Sequence, residues 1–323
     1  MKKAQLIIPF VAAGVVAAGP LLIDDRFLLK VLTFVGMNVL VIVGLSLLFG
    51  YAGQVSLGHA AFVGLGAYTC AIFTVRLELP WIVGFATAGL VAALGGLILA
   101  LPSLRLKGHY LAMATLGFGE LMTLAFVEAE PLTGGVDGFS GIPFPVIGSF
   151  EFREPAALYW LVWGVVGVAL LVAWNMTMLR PGRAMRALHG SELGAVASGV
   201  DTVGVKVRVF VMSAALAGLS GALYAGVVGF VSPSIFTVGA SVTFLAMAVI
   251  GGTGSLAGPV VAAVALTLLQ YSDAVVPGLS RDVARVVQSY REDLYGLAIV
   301  LVVILAPQGV AGLLRRLGGG GRS

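Results

Sequence analysis

Between two apolar runs, each long enough to cross a bilayer, lies Gly50-Tyr51-Ala52-Gly53-Gln54-Val55-Ser56-Leu57-Gly58-His59-Ala60-Ala61-Phe62. In hydrocarbon an unpaired N–H or C=O costs several kcal/mol, so an irregular backbone cannot face lipid. A Gly-rich stretch carrying Gln54, Ser56 and His59 at this depth must lie against protein or line a water-filled path. That requirement excludes a single-span anchor and demands neighbouring helices around the break.

Composition agrees with this. The chain has 323 residues, 59% of them hydrophobic and 11% charged, where soluble domains carry about 25% charge. The 45 glycines supply close helix contacts, since small residues drive packing where lipid is as apolar as leucine. A formal net charge of +4 raises nucleic acid as a partner. The basic residues instead sit in short loops beside apolar runs, which points to membrane topology and not to nucleic acid. Cys70 is a lone cysteine in an apolar run, so no intrachain disulfide forms.

About 20 apolar residues cross the hydrocarbon core. Spans are expected near 5–23, 28–49, 56–76, 80–101, 108–128, 157–179 and 207–230, with a less regular region over 238–272 and a last span near 293–313. The N-terminal run is read as an uncleaved span, although Lys2-Lys3 and Ala17-Ala18-Gly19 also fit a signal peptide. Arg180, Arg183, Arg186, Lys206 and Arg208 place 180–208 in the cytoplasm. Alternation then places Lys2, Lys3, Arg105 and Lys107 inside, and Asp24, Asp25 and the acidic loop 129–156 outside. Splitting 238–272 at Gly251-Gly252-Thr253-Gly254-Ser255 puts 273–292 outside and Arg315, Arg316 and Arg322 inside. The expected fold is all-α: a single polytopic membrane bundle over 1–323 of about ten helices with both termini cytoplasmic, nine being the alternative.

The split exposes a likeness. Gly53-Gln54-Val55-Ser56-Leu57 and Gly252-Thr253-Gly254-Ser255-Leu256 share Gly-x-x-Ser-Leu. Both would open helices running from inside to outside, so a duplication would be parallel. Paired broken helices often mark a substrate path in transporters. In 207–230 two stripes of small residues lie side by side: Ala214, Gly218, Ala222, Gly226 and Ala217, Gly221, Ala225, Gly229. That pattern predicts a central helix with neighbours on two faces.

Few groups inside the spans can carry chemistry. Glu120 is mid-span, where a carboxylate is expensive, so it is expected to face the bundle interior or water, or to be protonated. Gln54, Ser56, His59, Thr115, Thr253 and Ser255 complete the expected lining of a path. The three histidines are scattered without a cysteine cluster, which argues against a metal site. There is no Gly-x-x-x-x-Gly-Lys-Ser/Thr loop for a nucleotide and no Gly-x-Ser-x-Gly elbow for a serine hydrolase. The segment 180–206 contains two short amphipathic stretches, the second stopped by Gly199. Such a hairpin offers a docking surface to a soluble partner.

Six blocks, in family order, resemble the LivM-type permease of branched-chain amino acid ABC importers. They are Gly50–Ala67, Leu104–Leu116, Leu132–Gly138, Gly182–Ala187, Gly251–Pro259 and Pro307-Gln308-Gly309. The resemblance implies an inner (cytoplasmic) membrane protein of a bacterium or archaeon. It implies a second permease resembling LivH, two ATP-binding subunits that carry the ATP and Mg, and a periplasmic or extracellular substrate-binding protein. This chain itself would hold no cofactor and would not be an enzyme. The family's coupling segment falls on Gly182–Val200, with Arg183, Ala184, Arg186, Ala187, Glu192, Ala195 and Gly199 as the residues facing the ATPase. Family members often show Glu-Ala-Ala-x-x-x-Gly there, whereas Glu192 to Gly199 is one residue longer and lacks the alanine pair. Alternatives are a urea or amide permease of the same family, a stand-alone channel or ion-coupled transporter using Glu120, and an intramembrane enzyme using Ser56 and His59.

Overall fold

The computed structural model describes residues 19–20, 25–104, 106, 108–271 and 290. Apart from residues 19–20 and 290, the expected spans at 5–23 and 293–313 and the loop 273–292 lie outside them. Helix α1 covers Arg26–Leu45 and continues through wider π turns over Ser46–Tyr51. Asp25 caps it by accepting the Phe27 N–H at 2.8 Å, which satisfies one of the unpaired donors of the first turn. Helix α2 begins only at His59, runs to Ala71, and continues in π turns to Arg76. Then follow α3 (Trp81–Ser103), α4 (His109–Glu128) and α5 (Pro155–Met178). The short helices α6 (Arg180–Gly190) and α7 (Glu192–Ala197) form the hairpin. The chain closes with α8 (Thr202–Val228), α9 (Val238–Gly251) and α10 (Ala257–Gln270).

Among the described residues six helices are long and apolar enough to cross a membrane, and α10 is a shorter apolar helix. The region 238–272 is not one helix: α9 stops at Gly251 and α10 starts at Ala257. The all-α expectation needs one addition. Phe139–Ser140 pairs antiparallel with Phe230–Val231, and Val146–Ile147 with Phe150–Glu151. These small ladders satisfy backbone groups in the loop between α4 and α5 and tie that loop to the end of α8.

The centre of the bundle is α8, which packs most extensively against α3 and α2. Its two small-residue stripes divide that work. Gly218 lies against Ala88 and Ala92 of α3, and Gly226 against Trp81; Ala222 between them is fully buried. On the neighbouring face, a Cβ on Gly221 would overlap the Val63 carbonyl of α2, and one on Gly66 would overlap the Gly218 carbonyl. The helix backbones therefore touch, which gives dense van der Waals contact without any hydrophobic drive. Helix α1 fills the other side. Its most apolar window is 83% buried, against 22% for α4. Gly44 of α1 meets Ser213 of α8, the Ser220 hydroxyl donates to the Met37 carbonyl at 2.9 Å, and Trp163 Nε1 of α5 donates to the Leu32 carbonyl at 3.1 Å.

Overpacking a tight contact costs about 1–3 kcal/mol. Gly221→Ala is therefore expected to lower the thermal midpoint of the detergent-solubilised chain, read by fluorescence-detected size exclusion. Gly164→Ala, where an added methyl meets open space, leaves the midpoint unchanged.

Candidate functional site

The non-helical stretch runs from Ala52 to Gly58 with Gly53 exposed, and the start of α2 lies within protein: Ser56, His59 and Ala60 are buried. A helix start leaves backbone N–H groups without partners. Here neighbouring helices supply hydroxyls. Thr115 Oγ1 of α4 accepts the Leu57 N–H at 2.9 Å, and Ser241 Oγ of α9 accepts the Ala60 N–H at 2.9 Å. His59 Nδ1 lies 2.9 Å from Ser56 Oγ, and His59 Nε2 lies 2.7 Å from Ser213 Oγ of α8. A neutral imidazole donates from one nitrogen and accepts at the other, so the two hydroxyls satisfy the ring completely. Three helices thus hold one break.

Two glycines make the break possible. Gly53 takes a positive φ of 69°, a conformation other residues rarely adopt. Gly58 has no room for a Cβ, because the Thr115 carbonyl occupies that place.

The second break meets the first. The Gly254 N–H donates to the Gly50 carbonyl at 3.2 Å, so the second Gly-x-x-Ser-Leu segment closes against the π turns that lead into the first. Thr253 is exposed at this end, and Ser255 is half-buried with its hydroxyl accepting the Ala257 N–H at 3.2 Å. Gln54 is buried and, among the described residues, its Oε1 has no hydrogen-bond partner. It lines a small void together with Ser103, Leu111, Lys206 and Phe210.

Glu120 lies elsewhere. It is exposed on the outward face of α4, on the opposite side from Thr115 and Gly119. The carboxylate, expected to face the bundle interior or water or to be protonated, stands on the periphery of the described helices. The reason is the helix period: with Leu111, Thr115 and Phe126 turned inward, position 120 falls on the other face.

The hairpin α6–α7 rests on the same end of the bundle as the breaks. Met185 and Leu188 are buried under it, and Arg186 donates to the Thr177 carbonyl at 3.0 Å. Lys206 of α8 pairs with Glu192. Ser191 caps α7 by accepting the Gly194 N–H at 3.1 Å, and Ala195 is buried. Arg183, Arg186, Ala187 and Gly199 are exposed and Ala184 is half-buried. Leu193 and Val196 are 81% and 56% exposed, an apolar edge on a polar hairpin. Most telling is His189: its Nδ1 lies 2.8 Å from where a Cβ on Gly53 would stand. The hairpin touches the break.

Toward the opposite end the bundle holds an open cavity of about 280 Å³ between α1, α2, α8, α9 and α10, which reaches Ala60 beside the break. Phe34, Tyr224, Phe236, Phe244 and Met247 give it apolar walls, and Asn38 and Gln270 contribute amides. The rings of Phe34 and Tyr271 stack with centroids 5.8 Å apart. Asn38 Nδ2 donates to Thr267 Oγ1 at 3.0 Å.

Sequence reasoning did not single out Ser213, Ser241, Lys206 as Glu192's partner, or this cavity. The serines had a signal, as hydroxyls in otherwise apolar helices. The cavity had none, because its lining comes from five helices. The chemistry of a hydrolase is also absent from the Ser56–His59 pair. The second ring nitrogen meets a serine, where a catalytic triad places a carboxylate, and Ser56 and His59 are fully buried. Among the described residues no cluster of His, Cys, Asp and Glu is fit to hold a metal ion.

Residues 27–305 match the family described as the permease component of branched-chain amino acid transport systems. The high-affinity branched-chain amino acid transport system permease protein LivM of Salmonella typhimurium is 31% identical, over 97% of this chain and 74% of its own length. Its companion LivH from the same organism is 24% identical, over 84% of this chain and 90% of its own. The ribose import permease protein RbsC of Escherichia coli is 28% identical, over 80% of this chain and 79% of its own. No solved structure matches the chain. With break, hairpin and cavity assembled on a scaffold of apolar helices, the chain belongs to the branched-chain amino acid transport permease family and is a multi-pass membrane transport component, not an enzyme.

Proposed function

We propose that the chain is the permease subunit of an ATP-driven importer for branched-chain amino acids, working with a second permease, two ATP-binding subunits that bring ATP and Mg, and an external binding protein. The observation that carries this reading is the contact of His189 with Gly53. A surface hairpin with an apolar edge and exposed arginines suits a soluble partner, and its His189 lies beside Gly53 at the exposed end of the break. The excess of Lys and Arg around it supports a cytoplasmic position, with both chain termini on that side.

On this reading the two breaks form the cytoplasmic gate. The Gly50–Gly254 bond closes it, and Ser56, His59 and Thr115 hold its helices together. Thr253 and Ser255 cap it from the second break. The cavity at the other end takes the aliphatic side chain of the substrate among its aromatic walls. An apolar cavity of about 150 Å³ holds benzene, so one of about 280 Å³ has room for a leucine, isoleucine or valine side chain. Movement of the ATPases displaces α6–α7. His189 then pushes at Gly53, and Lys206, which holds Glu192, moves beside Gln54. Two contacts thus connect the docking surface to the gate.

The test is reconstitution with the partner subunits in proteoliposomes. Deleting 184–198 is expected to abolish ATP-driven leucine uptake while the partners' ATPase activity persists. Uptake by this chain without ATPases overturns the reading in favour of a stand-alone transporter. Gly53→Ala forces a side chain into a left-handed conformation at a cost of about 1–2 kcal/mol and into the His189 ring. It is expected to lower uptake while leaving assembly intact, as judged by co-purification. Ser213→Ala leaves a buried His59 nitrogen without a partner, a loss of about 1–3 kcal/mol. A lower thermal midpoint for that variant checks the hydroxyl's role.

A further inference from the structure

Three helices show long outward faces: α3, α4 and α5. On α3 that face is apolar throughout, with Ile82, Leu90, Leu94, Ile98 and Leu101 exposed. On α5 it carries Trp160, Val168, Leu171 and Trp174, with Asn175 near the helix end. These are surfaces for lipid. Helix α4 differs. Met113, Gly117, Glu120 and Leu124 recur at three- and four-residue spacing and share one face. Met113, Leu121 and Leu124 are 69%, 66% and 55% exposed, and Glu120 is exposed among them.

Glu120 is the twelfth of twenty residues in α4. At 1.5 Å per residue it stands roughly 12 Å or more from either helix end. A glutamate is too short to reach the interface from there, and a carboxylate at the centre of a span is rare unless it meets a polar group or water. Water is a poor match for a face built of methionine and leucines. The apolar runs expected as the first and last spans carry few polar groups. Residues 4–19 and 294–306 contain no Lys, Arg, His, Asp or Glu, and their polar side chains are confined to Gln5 and Tyr295 near one end of each run. A second copy packed about this face would set two carboxylates against each other, and like charges at close range cannot both ionise.

We propose that this stripe of α4 is the surface on which a second, non-identical permease-type subunit packs, with Glu120 meeting a polar or cationic side chain of that subunit inside the bilayer. Gly117 fits the part, since a small residue with open space above it admits a partner helix closely. The proposal rests on the importer reading, which supplies the second permease. It also gives Glu120 a role in assembly in place of an ion site within one chain.

The experiment uses the full complex in membranes. A photo-crosslinking benzoyl-phenylalanine replaces Leu121, and controls carry it at Leu94 of α3 and Val168 of α5. The expected adduct at position 121 joins this chain to the second permease, whereas 94 and 168 yield lipid adducts. Lipid adducts alone at 121, a dimer of this chain, or a crosslink within this chain each overturn the proposal. A second arm compares Glu120→Gln with Glu120→Lys at equal membrane levels. The glutamine retains the second permease on purification, and the lysine reduces its recovery about tenfold, equivalent to about 1.4 kcal/mol. Equal recovery with both variants overturns the role of Glu120. A complex that imports leucine under ATP yet gives only lipid adducts at 121 sinks the interface and leaves the functional reading intact. A complex that gives the predicted adduct but shows no ATP-driven uptake sinks the functional reading and spares the interface.

Discussion

The structure depends on satisfying the polar start of a helix in the middle of an apolar bundle. Helix α2 cannot begin at His59 unless its free backbone donors find acceptors, because water is not available to them at that depth. Thr115 and Ser241 accept from that backbone, and Ser56 and Ser213 satisfy the His59 ring. The elements bearing these hydroxyls are thereby fixed relative to one another. What looks like a flaw in a membrane helix is the joint that holds α2, α4, α8 and α9 in register. Movement of any one of these helices is felt at the same few bonds.

Packing then decides which parts can move. Helix α8 meets α2 and α3 at backbone distance through glycines and alanines, which leaves little slack. Interiors packed this way transmit displacement and do not absorb it. By contrast, the hairpin α6–α7 is anchored by a few bonds and three buried apolar side chains, Met185, Leu188 and Ala195. A stiff core with a lightly held lever is an arrangement suited to converting an external push into a shift at one joint.

Much of this was legible in the sequence. The break at 50–62 announced itself because glycine and polar residues between apolar runs contradict a continuous lipid-facing span. The stripes on α8 followed from the helical period, and the hairpin from its charge and its turn residues. What stayed hidden arises from long-range geometry. Nothing local joins Gly50 to Gly254, or Gly53 to His189, and the cavity assembles from side chains of five helices. Glu120 was conspicuous, yet its direction was not. The inward face of α4 is set by Thr115 and Gly119 meeting the break, and that contact exists only once the chain has folded. Apart from residues 19–20, the spans expected at 5–23 and 293–313 lie beyond the described residues.

The bond between the Gly50 carbonyl and the Gly254 N–H has an evolutionary consequence. Both atoms belong to the main chain, so no side-chain substitution deletes either one except proline at 254, which has no N–H. Its net strength is about that of any neutral hydrogen bond, roughly 0.5–1.5 kcal/mol, which thermal motion can break and remake. On the proposed reading, in which this bond latches a gate, lineages that need a faster or slower closure have little direct handle on it. Their changes must accumulate around it, in the residues that set how closely the two glycine segments approach. Drift in this region should show as altered timing before it shows as lost closure.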